Sequence, residues 1–229
     1  LFAADALDAR EAVNAARGDL SIGIGVFGPL SGAPSASVAR HDLSLADSMG
    51  VTALHVEFDA HGATGATLDS VARSIAPRRD SLLLVATLDL GDAALAEQTD
   101  ETLRARLADI ERIVRRLHPD VLVPAERVNA ELGTTWWQSY YALAARSARR
   151  VDRDVTVALA TDASTPIDSA LANWVLEGAG PVDGLAVIVR DHGARPARFV
   201  AALDAVARWV SRSRASPAVW VVGVPASPT

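Results

Sequence analysis

Cysteine and lysine are both missing from this chain of 229 residues. Without cysteine the protein has no disulfides, no thiolate nucleophile, no iron–sulfur cluster and no cysteine-bound zinc. Without lysine it cannot form the Schiff base of aldolases or pyridoxal-phosphate enzymes, and it lacks the lysine of a Walker-type phosphate loop. The absence of thiols leaves the redox compartment open, since reducing and oxidising locations both accept such a chain.

The sequence also has no cluster of basic residues. The net charge is −6 and the sequence pI is about 5.3. Arginines are scattered, with only short pairs such as Arg115–Arg116 and Arg149–Arg150, which argues against a nucleic-acid partner. No apolar run reaches the roughly 18 residues of a transmembrane helix. The opening "LFAADALDAR" lacks the basic and apolar regions of a signal peptide, although the chain is compatible with a removed leader or an anchor before it.

Seven short apolar runs, alternating with segments of helical periodicity, organise the chain. The runs occupy residues 21–28, 53–59, 82–89, 121–129, 154–161, 184–190 and 218–225. They read as continuously apolar, which is typical of parallel strands covered by helices on the outside. This alternation predicts an α/β fold, a TIM-type (β/α) barrel over residues 1–229 as a single domain, with a short N-terminal helix at about 4–17. Seven strands are visible, so the eighth is missing or lies beyond the given chain.

A glycine pattern in the first run matches the dinucleotide-binding fingerprint G-x-G-x-x-G. Its glycines are Gly23, Gly25 and Gly28. The fingerprint requires them to open a helix, whereas here they lie inside the apolar run, and Pro29 and a further loop follow. The pattern therefore favours close backbone approach in a first barrel strand, and we expect no cofactor.

The carboxyl ends of the predicted strands carry the candidate site, because (β/α) barrels place function there. The candidates for substrate binding are Glu57, Asp59, Asn129, Asp162 and Arg190. Thr87 and Asp89 end the third run, and Arg127, Thr161, Asp191 and His192 lie at other strand ends. A metal held by Glu57, Asp59, His61 and His192 is an alternative. Acidic loop residues are more often helix caps or solvated, so we expect no metal.

Four aromatic residues open the helix that follows the fourth run. They are Trp136, Trp137, Tyr140 and Tyr141. Spacing of four residues stacks them in pairs on adjacent helix faces. They suit a sugar-binding platform, but packing against neighbouring helices or a protein interface is the commoner use of such residues. We assign the four to a partner interface, with packing as the open alternative.

The order of these features resembles a clan of (β/α)8 glycoside hydrolases. In that clan the general acid/base follows strand four and the nucleophile follows strand seven. The stretch "PDVLVPAERVN" looks like the fourth strand, with Ala125-Glu126 in place of the typical Asn-Glu. The stretch "SPAVWVVGVPASP" resembles the seventh, which usually ends with a glutamate two residues before a glycine. The resemblance implies that Glu126 is the acid/base if the protein is active.

Departures from the clan pattern suggest a degenerate member. Retaining hydrolysis needs two carboxylates about 5–5.5 Å apart. The seventh run reads Trp-Val-Val-Gly at 220–223 and carries no acid. The clan's sixth-strand aromatic is replaced by Arg190. The resemblance therefore implies that Glu126 has lost its catalytic partner and forms an ion pair with Arg127 or Arg190.

Three functions remain open at this stage. The first is a non-catalytic, glycoside-hydrolase-like barrel that serves as a structural, accessory or binding subunit of an exported, periplasmic or extracellular assembly, including one beside a membrane. Protein partners are expected there, with carbohydrate as a second ligand class, and an unclosed barrel would expose apolar surface for a partner to cover. The second is a retaining glycoside hydrolase that acts on a polysaccharide through Glu126. The third is an unrelated barrel enzyme with a metal in the carboxylate and histidine cluster.

Overall fold

Most of the barrel-forming chain is visible in the computed structural model. The structure describes residues 23–59, 61–90, 99–161, 163, 165–190, 196–212 and 218–224. The predicted helix at about 4–17 lies outside these ranges. So do Asp162, Asp191 and His192 among the candidate site residues.

Seven parallel strands form one sheet in which each strand pairs with the next along the chain. They are β1 Gly23–Gly25, β2 Ala53–Phe58, β3 Leu83–Leu88, β4 Val121–Val123, β5 Thr156–Thr161, β6 Gly184–Arg190 and β7 Ala218–Val224. The sheet curls until Cα atoms of β1 and β7 come within 8 Å of each other. The predicted TIM-like α/β fold is confirmed, and no eighth strand lies among the described residues.

Within the described ranges, six α-helices connect these strands. They are α1 Ala36–Met49, α2 Gly65–Ile75, α3 Asp100–Leu117, α4 Gly133–Val151, α5 Pro166–Leu176 and α6 Pro196–Arg212. The first three begin at hydroxyl caps, Ser35, Thr64 and Thr99, whose side chains accept a backbone N–H of the first turn. In the part of the chain that the structure describes, no helix is both long and apolar enough to cross a membrane.

Side chains alternate between two faces of the curled sheet, as the strand period of two requires. On the outer face, Leu54, Val56 and Phe58 of β2 join the core formed with the helices. On the inner face, small residues such as Val123, Ala158 and Ala186 form a separate cluster, against which Trp220 packs. The inside of the curled sheet is therefore a packed layer, as in other barrels of this kind.

The predicted fourth strand is longer than the observed one. β4 ends at Val123, whereas the apolar run continues to Asn129. Pro124 follows, and a proline has no N–H with which to continue a strand ladder. Glu126 consequently lies on a loop, residues 124–129, rather than on the strand itself.

Candidate functional site

Three carboxylates from neighbouring strands meet at the carboxyl end of the sheet. Glu57 lies on β2, Asp89 follows β3 directly, and Glu126 lies on the loop after β4. Carboxylate oxygens of these three residues all lie within 4.8 Å of one another. We call Glu57, Asp89 and Glu126 the carboxylate cluster.

Backbone hydrogen bonds that continue past the strand ends set this arrangement. The Asp89 N–H donates to the carbonyl of Phe58 at 2.7 Å, beyond the last residue of β3. The Glu126 N–H donates to the carbonyl of Leu88 at 3.0 Å. Each acid is thereby held beside the preceding strand by main-chain contacts, which fix a position more precisely than a free loop does.

Two of the three side chains in the carboxylate cluster are buried, which raises the free energy of their charged forms. Only 3% of Glu126 and 4% of Glu57 are exposed, while the Asp89 side chain is 23% exposed. Arg127 is half exposed, and its Nη2 lies 3.9 Å from Asp89 Oδ1. Like charges this close repel one another, and a cation bound between them would relieve that repulsion. Arg127 thus contacts Asp89, while the predicted ion pair of Glu126 with Arg127 or Arg190 stays a prediction.

Below the cluster lies a buried histidine that is neutral. His55 Nε2 and Thr87 Oγ1 are 2.8 Å apart, and both residues are buried inside the sheet. Burial lowers the pKa of His55 to about 4 because the charged imidazolium is poorly solvated there. The floor of the site is therefore uncharged at neutral pH.

Aromatic side chains of α4 hold the loop that carries Glu126. Three of them donate hydrogen bonds to its backbone: Trp137 Nε1 to Asn129 O at 2.8 Å, Tyr140 OH to Pro124 O at 2.8 Å and Tyr141 OH to Ala125 O at 3.2 Å. The Tyr141 hydroxyl also accepts the N–H of Ala160 on β5 at 3.1 Å. Burial raises the pKa of both tyrosines, so both remain neutral donors.

Three of the four aromatic residues predicted at a partner interface pack inside this chain. Trp137, Tyr140 and Tyr141 are at most 2% exposed and belong to its core. The packing alternative applies to these three. Trp136 is partly exposed and stacks on Tyr140 with ring centroids 5.5 Å apart. For Trp136 an interface role stays a prediction.

Of the five predicted substrate-binding residues, the structure brings Glu57 into the cluster. Asp59 is engaged locally, where its Oδ1 accepts the N–H of His61 at 2.9 Å. Asn129 caps the short 3-10 helix Ala130–Leu132. Arg190 ends β6, but its side chain is outside the described part, as is all of Asp162. Their roles in substrate binding stay predictions.

Sequence reasoning did not single out Asp89 and His55. Asp89 was one of several polar strand ends, and His55 lies within an apolar run where nothing marked it. Asp89 is identified by the register of the strand pairs. Glu57 pairs with Thr87, and Thr87 pairs with Val123, so Asp89 and Glu126, which follow Thr87 and Val123, come close to Glu57. Such register was not readable from the chain before the sheet was known.

The chemistry open to the carboxylate cluster follows from its spacing. Oxygens within 4.8 Å can be bridged by a hard cation such as Ca²⁺, whose oxygen ligands lie at about 2.3–2.6 Å. Two carboxyl groups about 5–5.5 Å apart are also the requirement of a retaining glycosidase. Here, however, all three acids come from β2, β3 and β4, and β7 carries no acid along Ala218–Val224.

Solved structures of glycoside hydrolases have a similar fold. A GH39 enzyme from Xanthomonas axonopodis pv. citri matches 92% of this chain at a TM-score of 0.58 and 14% identity. A GH39 beta-xylosidase from Caulobacter crescentus matches 92% of the chain at a TM-score of 0.52 and 12% identity. The predicted resemblance to (β/α)-barrel glycoside hydrolases is thereby confirmed at the level of the fold.

The similarity covers only part of each matched protein. This chain spans about half the length of those two proteins, 51% and 54% respectively. No protein-family model matches the sequence, and no curated protein does so. The likeness therefore concerns the curled sheet and its helices.

Removing the Tyr141 hydroxyl should destabilise the protein more than removing that of Tyr140. Tyr141→Phe leaves two buried backbone groups without their partner, the Ala160 N–H and the Ala125 carbonyl, which costs about 2–3 kcal/mol. Tyr140→Phe leaves one carbonyl and should cost about 1 kcal/mol. Urea unfolding followed by tryptophan fluorescence measures both. Equal losses would show that the Tyr141 bridge between the loop and β5 contributes nothing extra.

Acid should weaken the fold through His55. The unfolded chain binds a proton at the ordinary imidazole pKa of 6.5, whereas the folded chain does so only at about 4. As the pH falls from about 6.5 to 4, the unfolded state takes up more protons, and about 3 kcal/mol of stability is lost. The free energy of unfolding of wild type minus that of His55→Gln, measured across this range, isolates the effect.

The exposed His41 supplies the matched control, because His41→Gln leaves the buried imidazole in place. This variant should keep the wild-type dependence on pH. A His55→Gln protein that loses stability between pH 6.5 and 4 as steeply as wild type would contradict the assignment.

Proposed function

We propose that this protein is a glycoside-hydrolase-like barrel that does not hydrolyse glycosides and acts instead through binding, as a structural or accessory subunit. The observation that carries the proposal is the apolar β7. Its residues Ala218–Val224 include no carboxylate, although the clan that the sequence resembles places its nucleophile after this strand. A valine or glycine cannot attack an anomeric carbon, and losing one member of a catalytic group typically costs orders of magnitude in rate.

Burial of Glu126 supports the same proposal. A general acid must reach the leaving-group oxygen of a substrate to within hydrogen-bond distance. Glu126 is 3% exposed and lies within 4.8 Å of two other carboxylates. In this setting it is a tightly packed constituent of the barrel mouth rather than an accessible acid.

The proposed assembly is exported, in the periplasm or outside the cell, and membrane association is compatible with the proposal. Its basis is the resemblance to hydrolases that act mostly on extracellular polysaccharide. Protein partners would then be the main contacts of the barrel, with carbohydrate as a second ligand class. Trp136, the partly exposed aromatic of α4, is the candidate contact residue.

A second function, retaining hydrolysis of a polysaccharide, is favoured by one specific observation. The carboxylate cluster places Glu57 and Asp89 near Glu126, close to the separation that retaining hydrolysis uses. Either could serve as the second carboxylate. Against this, a nucleophile and an acid must flank the scissile bond, whereas these acids project from adjacent strands.

Activity assays on Glu126→Gln distinguish the two functions. With aryl glycosides and soluble polysaccharides we expect no sugar release by wild type and none by the variant. We also expect Glu126→Gln to keep the fold, with a free energy of unfolding within about 1 kcal/mol of wild type, because the amide has nearly the shape of the carboxylate. The matched control is Glu101→Gln on the exposed first turn of α3, which should change stability by less than about 0.5 kcal/mol.

Two results would overturn the non-catalytic proposal. One is sugar release by wild type that Glu126→Gln abolishes while the fold is retained. The other is rescue of that activity by a small added nucleophile in an Asp89 or Glu57 variant, which would assign the second carboxylate. A loss of stability in Glu126→Gln would show that the carboxylate is favourably held.

Partners are tested by native mass spectrometry on the protein isolated from its own source. The expected result is an assembly of fixed stoichiometry that contains this chain. A free monomer at physiological concentration, in preparations that preserve other assemblies, would contradict the subunit role and leave binding of carbohydrate as the remaining part of the proposal.

A further inference from the structure

Arginines outnumber acids on the two neighbouring helices α3 and α4. α3 carries five arginines and four acids, and α4 carries three arginines and no acid. The two helices pack side by side. In a chain with a net charge of −6, positive charge is therefore concentrated on one part of the surface.

Four of these arginines point outward from the second half of each helix. They are Arg112 and Arg115 on α3 and Arg146 and Arg150 on α4, and we call them the arginine face. At about 100° per residue, Arg115 lies about 60° from Arg112 and Arg150 about 40° from Arg146, so each pair shares one side of its helix. The side chains of Arg112, Arg115 and Arg150 are 52%, 65% and 70% exposed, and Arg146 is exposed as well.

Glu111 connects the two halves of the arginine face. Its carboxylate contacts Arg115 on the same helix, at 4.0 Å, and Arg150 on α4. The Glu111 side chain is only 20% exposed. One negative charge between two guanidinium groups leaves a positive surplus, and the arginines rather than the acid reach the solvent.

A second acid of α3 is shared in the same way. Asp109 contacts Arg112, which is half exposed, and Arg106, which is buried and whose Nη1 lies 3.7 Å from Asp109 Oδ2. The Asp109 side chain is 12% exposed. A guanidinium group has five N–H donors, and a shared carboxylate occupies few of them. The arginine face therefore offers both positive charge and hydrogen-bond donors to an anionic ligand.

The arginine face is separate from the carboxylate cluster. α4 begins at Gly133, soon after the loop that carries Glu126. Arg146 lies about 13 residues further along this helix, a distance of about 20 Å. A ligand of the arginine face would therefore bind to the outside of the barrel rather than at its mouth.

The surroundings of the arginine face contain no apolar anchor. Along α3 and α4, which the structure describes completely, no large apolar side chain is as exposed as these arginines. Protein interfaces usually centre on an anchor residue in a well-packed pocket, and helices that lie on membranes insert apolar side chains. A wide anionic surface would also meet the negative charge on the rest of the protein, because charges interact over about 10 Å. These features favour a thin anionic chain.

We propose that the arginine face binds an acidic polysaccharide, whose anionic groups pair with the four guanidinium groups. The inference rests on the proposed function, in which carbohydrate is a ligand class, and adds the charge of that carbohydrate and the place where it binds. Guanidinium groups pair with carboxylates through two parallel hydrogen bonds. Neighbouring arginines are about 4.5–6 Å apart along one helix and about 8–10 Å apart across the two, similar to the length of about one or two sugar rings.

Binding of a polyuronate to the full chain tests the proposal. Polygalacturonate is the probe, and its methyl ester, which has the same sugar backbone without the charge, is the matched control ligand. In isothermal titration calorimetry we expect wild type to bind polygalacturonate at least tenfold more tightly than the ester. The affinity for polygalacturonate should fall at least tenfold as NaCl is raised from about 50 to about 500 mM, since salt screens charge pairs at the surface.

Variants of the arginine face locate the binding. Arg115→Gln combined with Arg146→Gln removes one charge from each helix and should weaken binding at least tenfold. Arg40→Gln combined with Arg73→Gln, exposed on α1 and α2, changes the net charge equally and should alter binding less than twofold. Glu111→Gln should instead tighten binding, because it removes the shared negative charge. Thermal unfolding followed by circular dichroism checks that each variant is folded.

Contrary results would overturn the proposal. Equal binding of polygalacturonate and its ester would assign binding to a neutral sugar site. Equal weakening by the two double variants would show that only net charge matters. Tighter binding of anionic lipid vesicles or of duplex DNA would assign the face to a membrane or to a nucleic acid. Binding of neither polygalacturonate nor heparin would leave the arginines as a solvated surface. The proposed function fails on a different result, sugar release by wild type, so the two failures are distinguishable.

Discussion

The parallel hydrogen-bond ladder is the constraint on which the site depends. Because it continues one step past β3 and three residues past Val123, it places Asp89 and Glu126 beside Glu57. The main chain keeps these acids together, since breaking ladder bonds inside a curled, buried sheet would leave several polar groups without partners. Site and fold are therefore coupled through the backbone.

Helix α4 stabilises the loop that carries Glu126. β4 ends at Val123, so the loop with Glu126 lies past the end of the strand. Trp137, Tyr140 and Tyr141 hold this loop through side-chain hydrogen bonds to its backbone and through buried ring packing. A group of residues that could have formed a sugar platform or an interface thus serves as an internal support for the barrel mouth.

Much of the fold was predictable from the sequence, and less of the site was. Continuous apolar runs such as the one around Val56 indicated parallel strands, because burial on both faces leaves no polar alternation. The clan resemblance drew attention to Glu126, and the strand-end rule drew it to Glu57. Asp89 and His55 were not singled out because their importance comes from register between strands. The burial of Trp137, Tyr140 and Tyr141 was not readable either, because helix periodicity does not reveal which face meets the sheet.

The sequence by itself determined the class of the barrel, the absence of an acid on β7 and the chemistries that lack of cysteine and lysine excludes, since these follow from local pattern and residue identity. Only the tertiary structure decided which acids meet, that Arg127 contacts Asp89, and which large apolar side chains of the described ranges stay exposed. These facts depend on contacts between residues 30 or more positions apart in sequence, and such contacts are set by strand pairing and helix packing rather than by any local pattern.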